Sequence, residues 1–293
     1  MSSTELISQT AQKTTLKTLK HTKATAIIAS EEKYTAKGLE SLPVVLVRGQ
    51  GAKVWDIDGK EAFHNGHYGP LCEKFCRATF GLRPHVSNEF RVGKVDLTIK
   101  ISRKWSQKIK GVEENESIIV TIAGNYHGKS LGPLSASSNE YIRDGFGPYI
   151  PGVGPIIDGH IMRFSNIEDL NHAFEQQGDR TGAVILECVQ GYAGCIPADN
   201  AYLKEAHALC KKYNALFVAD EIQTRFGRIG YLMSYQAAGI KPDMITLGKA
   251  LTGGAYSMRM VLGRKEAFDT VRRSRGNPLA CAIASEAVDV VLD

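Results

Sequence analysis

Four short, mostly apolar runs punctuate the chain, and each delivers a polar or charged residue where it stops. Ser117–Ile122 runs into Ala123-Gly124-Asn125-Tyr126, Ala183–Leu186 ends at Glu187, Ala215–Ala219 ends at Asp220, and Met244–Leu247 runs into Gly248-Lys249. Their length and lack of polar alternation are those of strands covered on both faces, as in a parallel sheet. Helical periods lie between them. Leu97, Ile101 and Trp105 recur every fourth residue, and Leu203, Ala206, Leu209 and Cys210 share one face of a helix that Asp199-Asn200 caps. Residues 42–57 read as two strands around a turn at Gly49-Gln50-Gly51. The whole predicts an α/β fold with a mostly parallel sheet.

Ligands of such sheets bind outside the carboxyl ends of the strands, so the four terminal residues mark a candidate site. An acid (Asp220) and a lysine (Lys249) delivered there suit one chemistry well. A lysine amine condenses with an aldehyde cofactor, and a carboxylate pairs with a pyridinium nitrogen. One such placement is unremarkable, since a lysine after a strand is usually a solvated end. Four are hard to attribute to chance.

Composition sets bounds without changing this reading. The chain has 293 residues, 43% hydrophobic and 23% charged, as in an ordinary globular protein with room for one large domain or one large and one small. A net charge of +5 spread along the chain gives no nucleic-acid footprint, and no apolar run approaches the length of a membrane span. The six cysteines (Cys72, Cys76, Cys188, Cys195, Cys210, Cys281) include no Cys-x-x-Cys pair and no histidines at zinc-ligand spacing, so they read as free thiols in a reducing compartment. Cys72 and Cys76 share a helical face, and His64 and His67 fall in a Gly-rich loop where surface histidines are ordinary. Residues 1–30 are rich in Ser, Thr and Lys, with one acid, Glu5, and no arginine. They read equally as a mitochondrial transit segment or as a disordered tail of a cytoplasmic protein.

Asp220-Glu221-Ile222-Gln223-Thr224 with Gly227-Arg228 beyond, and Leu247-Gly248-Lys249-Ala250-Leu251-Thr252-Gly253-Gly254 downstream, resemble the core of the class III aminotransferases, which depend on pyridoxal phosphate (PLP). Asp144-Gly145-Phe146-Gly147-Pro148-Tyr149-Ile150-Pro151-Gly152, and the stretch from Leu42-Pro43 to Trp55-Asp56, resemble the ornithine branch of that family. The resemblance covers most of residues 31–292. It implies the large domain of the PLP-transferase fold (fold type I), abbreviated, over residues 61–293. Residues 31–60 would form an N-terminal segment, 1–30 a tail, and the C-terminal small domain would be absent. It implies PLP held by Lys249, which also moves the proton, with Asp220 on the ring nitrogen, Gln223 on the ring hydroxyl, Tyr126 stacked on the ring and Glu187 beside it. Lys129 stands where an arginine usually grips the keto-acid carboxylate. The implied reaction moves the δ-amino group of ornithine to 2-oxoglutarate, leaving glutamate 5-semialdehyde, in a homodimer or higher homo-oligomer, with no metal, nucleic acid or membrane.

The chain departs from the family pattern at named places. Leu39 replaces a substrate-touching tyrosine, and Tyr192 replaces a second glutamate. Arg225 replaces a glycine, and a block is missing after Gly59-Lys60-Glu61. The turn before the helix of residues 97–105, where the family holds the cofactor phosphate on bare N–H groups, reads Asn88-Glu89-Phe90-Arg91, with Lys94 close behind. These departures support a competing expectation: a catalytically impaired paralogue or fragment that keeps the fold and acts as a binding or dimerising partner.

Overall fold

The computed structural model describes residues 26–27, 29–30, 46–50, 53–57, 68–79, 83–87, 93–224, 227–271 and 278–292. Leu39, His64, His67, Glu89, Arg91 and Arg225 lie outside these residues. The centre is a seven-stranded sheet. Its strands are β1 (Arg83–Ser87), β2 (Ile118–Thr121), β3 (Val153–Gly154), β4 (Thr181–Leu186), β5 (Leu216–Asp220), β6 (Met244–Leu247) and β7 (Arg259–Gly263). Their spatial order is β1-β7-β6-β5-β4-β2-β3, with β7 running against the other six. All four apolar runs read from the sequence are therefore sheet strands, and β2, β4, β5 and β6 are neighbours whose carboxyl ends point the same way. The predicted hairpin is present as Leu46–Gln50 paired antiparallel with Lys53–Asp56.

The continuous apolar runs follow from burial on both faces. In β5, Phe217 and Ala219 join Val184 and Leu186 of β4 in one core, while Leu216 and Val218 join Ala183 and Ile185 in the other. Successive side chains of a strand point to opposite faces, so a sheet covered twice favours apolar residues until the strand ends, and a polar residue inside it needs a partner, as Thr246 of β6 finds in Asp220. Each fully buried Leu, Ile, Val or Phe contributes about 1.5–3 kcal/mol.

Helix α1 (Tyr68–Ala78) buries Leu71, Cys72 and Phe75 in the first core. On the opposite face, α2 (Lys94–Trp105) packs Val95, Ile99, Ile101 and Trp105 into the second; Leu97 is partly buried at its edge. A further helix, α3 (Asn200–Lys212), connects β4 to β5. It covers the first face with Leu203, Ala206 and Cys210, and the Asp199 carboxylate caps it by accepting from Ala201 N at 2.7 Å. No disulfide joins any of the six cysteines, all of which are among the described residues.

Candidate active site

At the carboxyl end of the sheet a cavity of about 540 Å³ opens. It is lined by Gly93 and Lys94 at the start of α2, by Tyr126–Ser130 after β2, by Glu187 after β4, by Asp220, Ile222 and Gln223 at the end of β5, by Lys249 after β6, and by Arg259 at the start of β7. All six residues named from the sequence as site residues (Lys249, Asp220, Tyr126, Gln223, Glu187 and Lys129) meet here.

Asp220 is buried and closely held. Its Oδ1 accepts from Thr246 Oγ1 on the neighbouring strand at 2.7 Å and from Ile222 N at 3.1 Å; its Oδ2 lies 2.7 Å from His127 Nδ1. An ionised carboxylate offers about four acceptor positions. Three are taken, and one is left for a donor in the cavity. Burial works against charge on His127, but the hydrogen bond and charge of Asp220, reinforced by Glu187, outweigh it and raise the imidazole above its ordinary value. Its Nε2 is buried without a hydrogen-bond partner among the described residues.

The turn after Asp220 is fixed by Glu221, whose buried carboxylate accepts from Thr224 Oγ1 and Ser234 Oγ at 2.6 Å and from Tyr235 N at 3.0 Å. Gln223 is thereby presented to the cavity, where its Oε1 accepts from Lys249 Nζ at 2.5 Å. Gly191 makes room for it, since a Cβ there would lie 2.0 Å from Gln223 Nε2. Lys249 has φ = +37°, the left-handed region that a non-glycine residue enters at a cost on the order of 1–3 kcal/mol. The amine is exposed to the cavity, so this strain coincides with a reactive group.

The loop after β2 is clamped from several sides. Asn125 Nδ2 donates to Ile122 O and Ala136 O at 2.6 and 2.8 Å, and Tyr126 N donates to Glu187 Oε2 at 3.0 Å. Ser130 Oγ donates to Asp96 of α2, whose other oxygen accepts from Gly132 N at 3.1 Å. The Tyr126 ring stacks on Tyr192 with centroids 5.0 Å apart and planes at 21°. One face of Tyr126 is thus covered, leaving the other for a planar ligand.

Burial pushes Glu187 up to about 6, with the charge of His127 pulling the other way and Asp220 adding to the rise. The fold therefore favours the neutral acid. Its stabilising contribution is full below the unfolded value near 4.3 and is lost as pH rises through about 6. Relative to the wild type, Glu187→Gln is expected to gain roughly 2 kcal/mol of stability between pH 4 and pH 7. Denaturant unfolding at both pH values checks this; an unchanged difference would mean that Glu187 titrates normally.

Sequence reasoning named neither His127 nor Arg259 as a site residue. His127 had a signal, standing between Tyr126 and Gly128 in the loop after a buried strand. Arg259 had only the apolar run Met260-Val261-Leu262 behind it, whose direction in the sheet the sequence does not show.

The family model for aminotransferase class III matches residues 61–293. The ornithine aminotransferase of Emericella nidulans is 37% identical over 90% of this chain and 68% of its own length. That of Schizosaccharomyces pombe is 33% identical over 89% of this chain and 69% of its own. Among solved structures, the ornithine aminotransferase of Toxoplasma gondii, which carries PLP at partial occupancy in its active site, superposes with a TM-score of 0.72. It has 27% identity and covers 97% of this chain and 74% of that one. The chain belongs to the class III aminotransferase family.

Proposed function

We propose that this chain is a PLP-dependent transaminase that takes the δ-amino group of ornithine, passes it to 2-oxoglutarate and leaves glutamate 5-semialdehyde. Family membership supports transamination, and the relatives' names support ornithine as donor. The observation that carries the reading is the meeting of the Lys249 amine and the Asp220 carboxylate, from adjacent parallel strands, on one cavity. The division follows the same reading, with residues 61–293 as a PLP-binding large domain, 31–60 as an N-terminal segment and 1–30 as a tail.

The residues present fit PLP. Asp220 keeps one acceptor position for a ring N–H, Gln223 an amide for the ring hydroxyl, Lys249 an amine for the aldehyde, and Tyr126 a free face for the ring. The cavity volume is within the usual range for small cofactors, roughly 300–1,000 Å³. When bound, the cofactor supplies an electron sink for the charge that develops on the donor carbon.

The chain's own groups do the rest. Asp220, braced by Thr246 and His127, holds a proton on the ring nitrogen, and the brace keeps the carboxylate oriented in a nearly dry site. The Lys249 amine binds the cofactor and then shuttles the proton to and from the donor carbon. Gln223, held in place beside Lys249, orients the ring edge. Ile222 supplies an apolar wall. Lys129 meets the keto-acid carboxylate as a point charge, without the bidentate fork of an arginine.

The test is direct. Protein loaded with PLP is given L-ornithine and 2-oxoglutarate, and glutamate and the semialdehyde, trapped with an aromatic amine, are quantified. Stoichiometric appearance of both is expected. Turnover with other amines but not ornithine would overturn the substrate assignment. PLP binding with no turnover at all would support the competing role as a binding partner.

A further inference from the structure

Nothing in the proposed chemistry uses Tyr192. The residue is 56% exposed and does not line the cavity, yet its ring lies on that of Tyr126, with centroids 5.0 Å apart and planes at 21°. Exposed side chains ordinarily change rotamer freely, so an exposed ring held against a second ring needs a cause. Tyrosine here stands where the family pattern has a glutamate. The ring pair is therefore a property of this chain, not one that the resemblance implies.

The cause lies in the backbone on either side of the pair. Glu187, which follows β4, accepts from Tyr126 N at 3.0 Å and also from the N–H of Gly191, the residue before Tyr192. One carboxylate thus ties both tyrosines to the same strand end. Gln190 Nε2 donates to Ala123 O at 2.7 Å, joining the segment before Tyr192 to the loop after β2. Val189–Gln190 pairs antiparallel with Ile196–Pro197 and closes the turn that carries Tyr192; inside it Gly194 N and Cys195 N each donate to Gly191 O at 3.3 Å. Glycine leaves the room for this approach, since a Cβ on Gly124 would lie 2.8 Å from Gln190 Oε1. Two loops from different strands are locked together where the rings meet.

We propose that Tyr192 is a positioning residue for the cofactor ring: it braces Tyr126 from behind and holds the free face of Tyr126 flat toward the planar ring that the cavity takes. The inference rests on the PLP reading above and deepens it. A lone ring on a loop can tilt, and a ligand that stacks on it must first order it. A ring already backed on one side is ordered before the ligand arrives, and that preorganisation appears as affinity. A stacked aromatic pair is worth about 2- to 13-fold in an equilibrium beyond the area it buries. Tyr192 acts through Tyr126 and meets no reacting atom, so its loss should fall on the binding and orientation of the ring and spare the Lys249 amine.

The experiment compares wild type, Tyr192→Phe, which keeps the ring, and Tyr192→Leu, which keeps apolar bulk without an aromatic face. Each is titrated with PLP, following visible absorbance and the visible circular dichroism that the bound cofactor acquires. Each is also treated with propionaldehyde and borohydride, and alkylation of Lys249 is read by peptide mass. Propionaldehyde needs the same amine but has no ring to stack. Tyr192→Leu is expected to weaken PLP by about 2- to 13-fold and to lower the dichroism per bound cofactor. Tyr192→Phe should match the wild type in both, and alkylation of Lys249 should be equal in all three proteins. PLP affinity and dichroism that Tyr192→Leu leaves intact would overturn the inference. So would equal losses in Tyr192→Phe and Tyr192→Leu, which would assign the effect to the hydroxyl. A parallel loss of propionaldehyde labelling would assign it to the fold of the loop and overturn the inference as well. Absence of PLP binding by the wild type would instead overturn the transaminase reading and this inference with it.

Discussion

Replacing Lys249 with alanine is expected to lower ornithine transamination about a thousandfold, the middle of the range that positioned acid–base groups supply. The variant should fold as the wild type does. Lys249 is exposed to the cavity and its one described bond is to Gln223, so few buried contacts depend on it. Alanine at the same left-handed backbone position keeps the strain and loses only the amine. The loss should therefore fall on kcat. Added methylamine or ethylamine should restore part of the rate, because a free amine fits the space the lysine leaves. Steady-state kinetics with and without the amine check this. A variant with near wild-type kcat would show that another group moves the proton.

Asp220→Ala is expected to be nearly as costly, by a different route. It removes the partner of a charged ring nitrogen from a buried site, where breaking such a pair costs about 3–5 kcal/mol, or roughly 150- to 5,000-fold in rate or affinity. It also strands the Thr246 hydroxyl and the His127 ring, each buried and each bonded to this carboxylate. Orphaned buried groups cost about 1–3 kcal/mol of stability apiece. Asp220→Asn separates the two effects. The amide oxygen still accepts from Thr246 and Ile222 N, so stability should largely return while the half-reaction does not. Urea unfolding read beside a single-turnover half-reaction with ornithine makes the comparison. An unchanged half-reaction in either variant would place the ring nitrogen elsewhere.

These positions were legible in the sequence because each is a local fact about a buried strand. A run such as Leu216–Ala219 must be covered on both faces, so Asp220, its first charged residue, is the first to reach solvent or a ligand. The same holds for Glu187 after β4 and Lys249 after β6. His127 was not legible, because its role depends on which strands are neighbours. Its loop follows β2 and its partner ends β5, with β4 between them. No local pattern encodes that order. Arg259 depends on strand direction. Had β7 run parallel to its neighbours, its first residue would lie at the opposite edge, far from Lys249. Glu221 gave the opposite lesson. It sits in the same motif as Asp220 yet spends its carboxylate on Thr224, Ser234 and Tyr235 N, holding the turn.

The central claim, that Lys249 is the group that takes the cofactor, meets its most direct measurement in reductive labelling. Wild-type protein incubated with PLP, reduced with borohydride and digested should carry a single stoichiometric modification on the peptide containing Lys249, and Lys249→Ala should carry none. A label distributed over surface lysines, or concentrated on Lys129 or Lys94 with Lys249 untouched, would contradict the account.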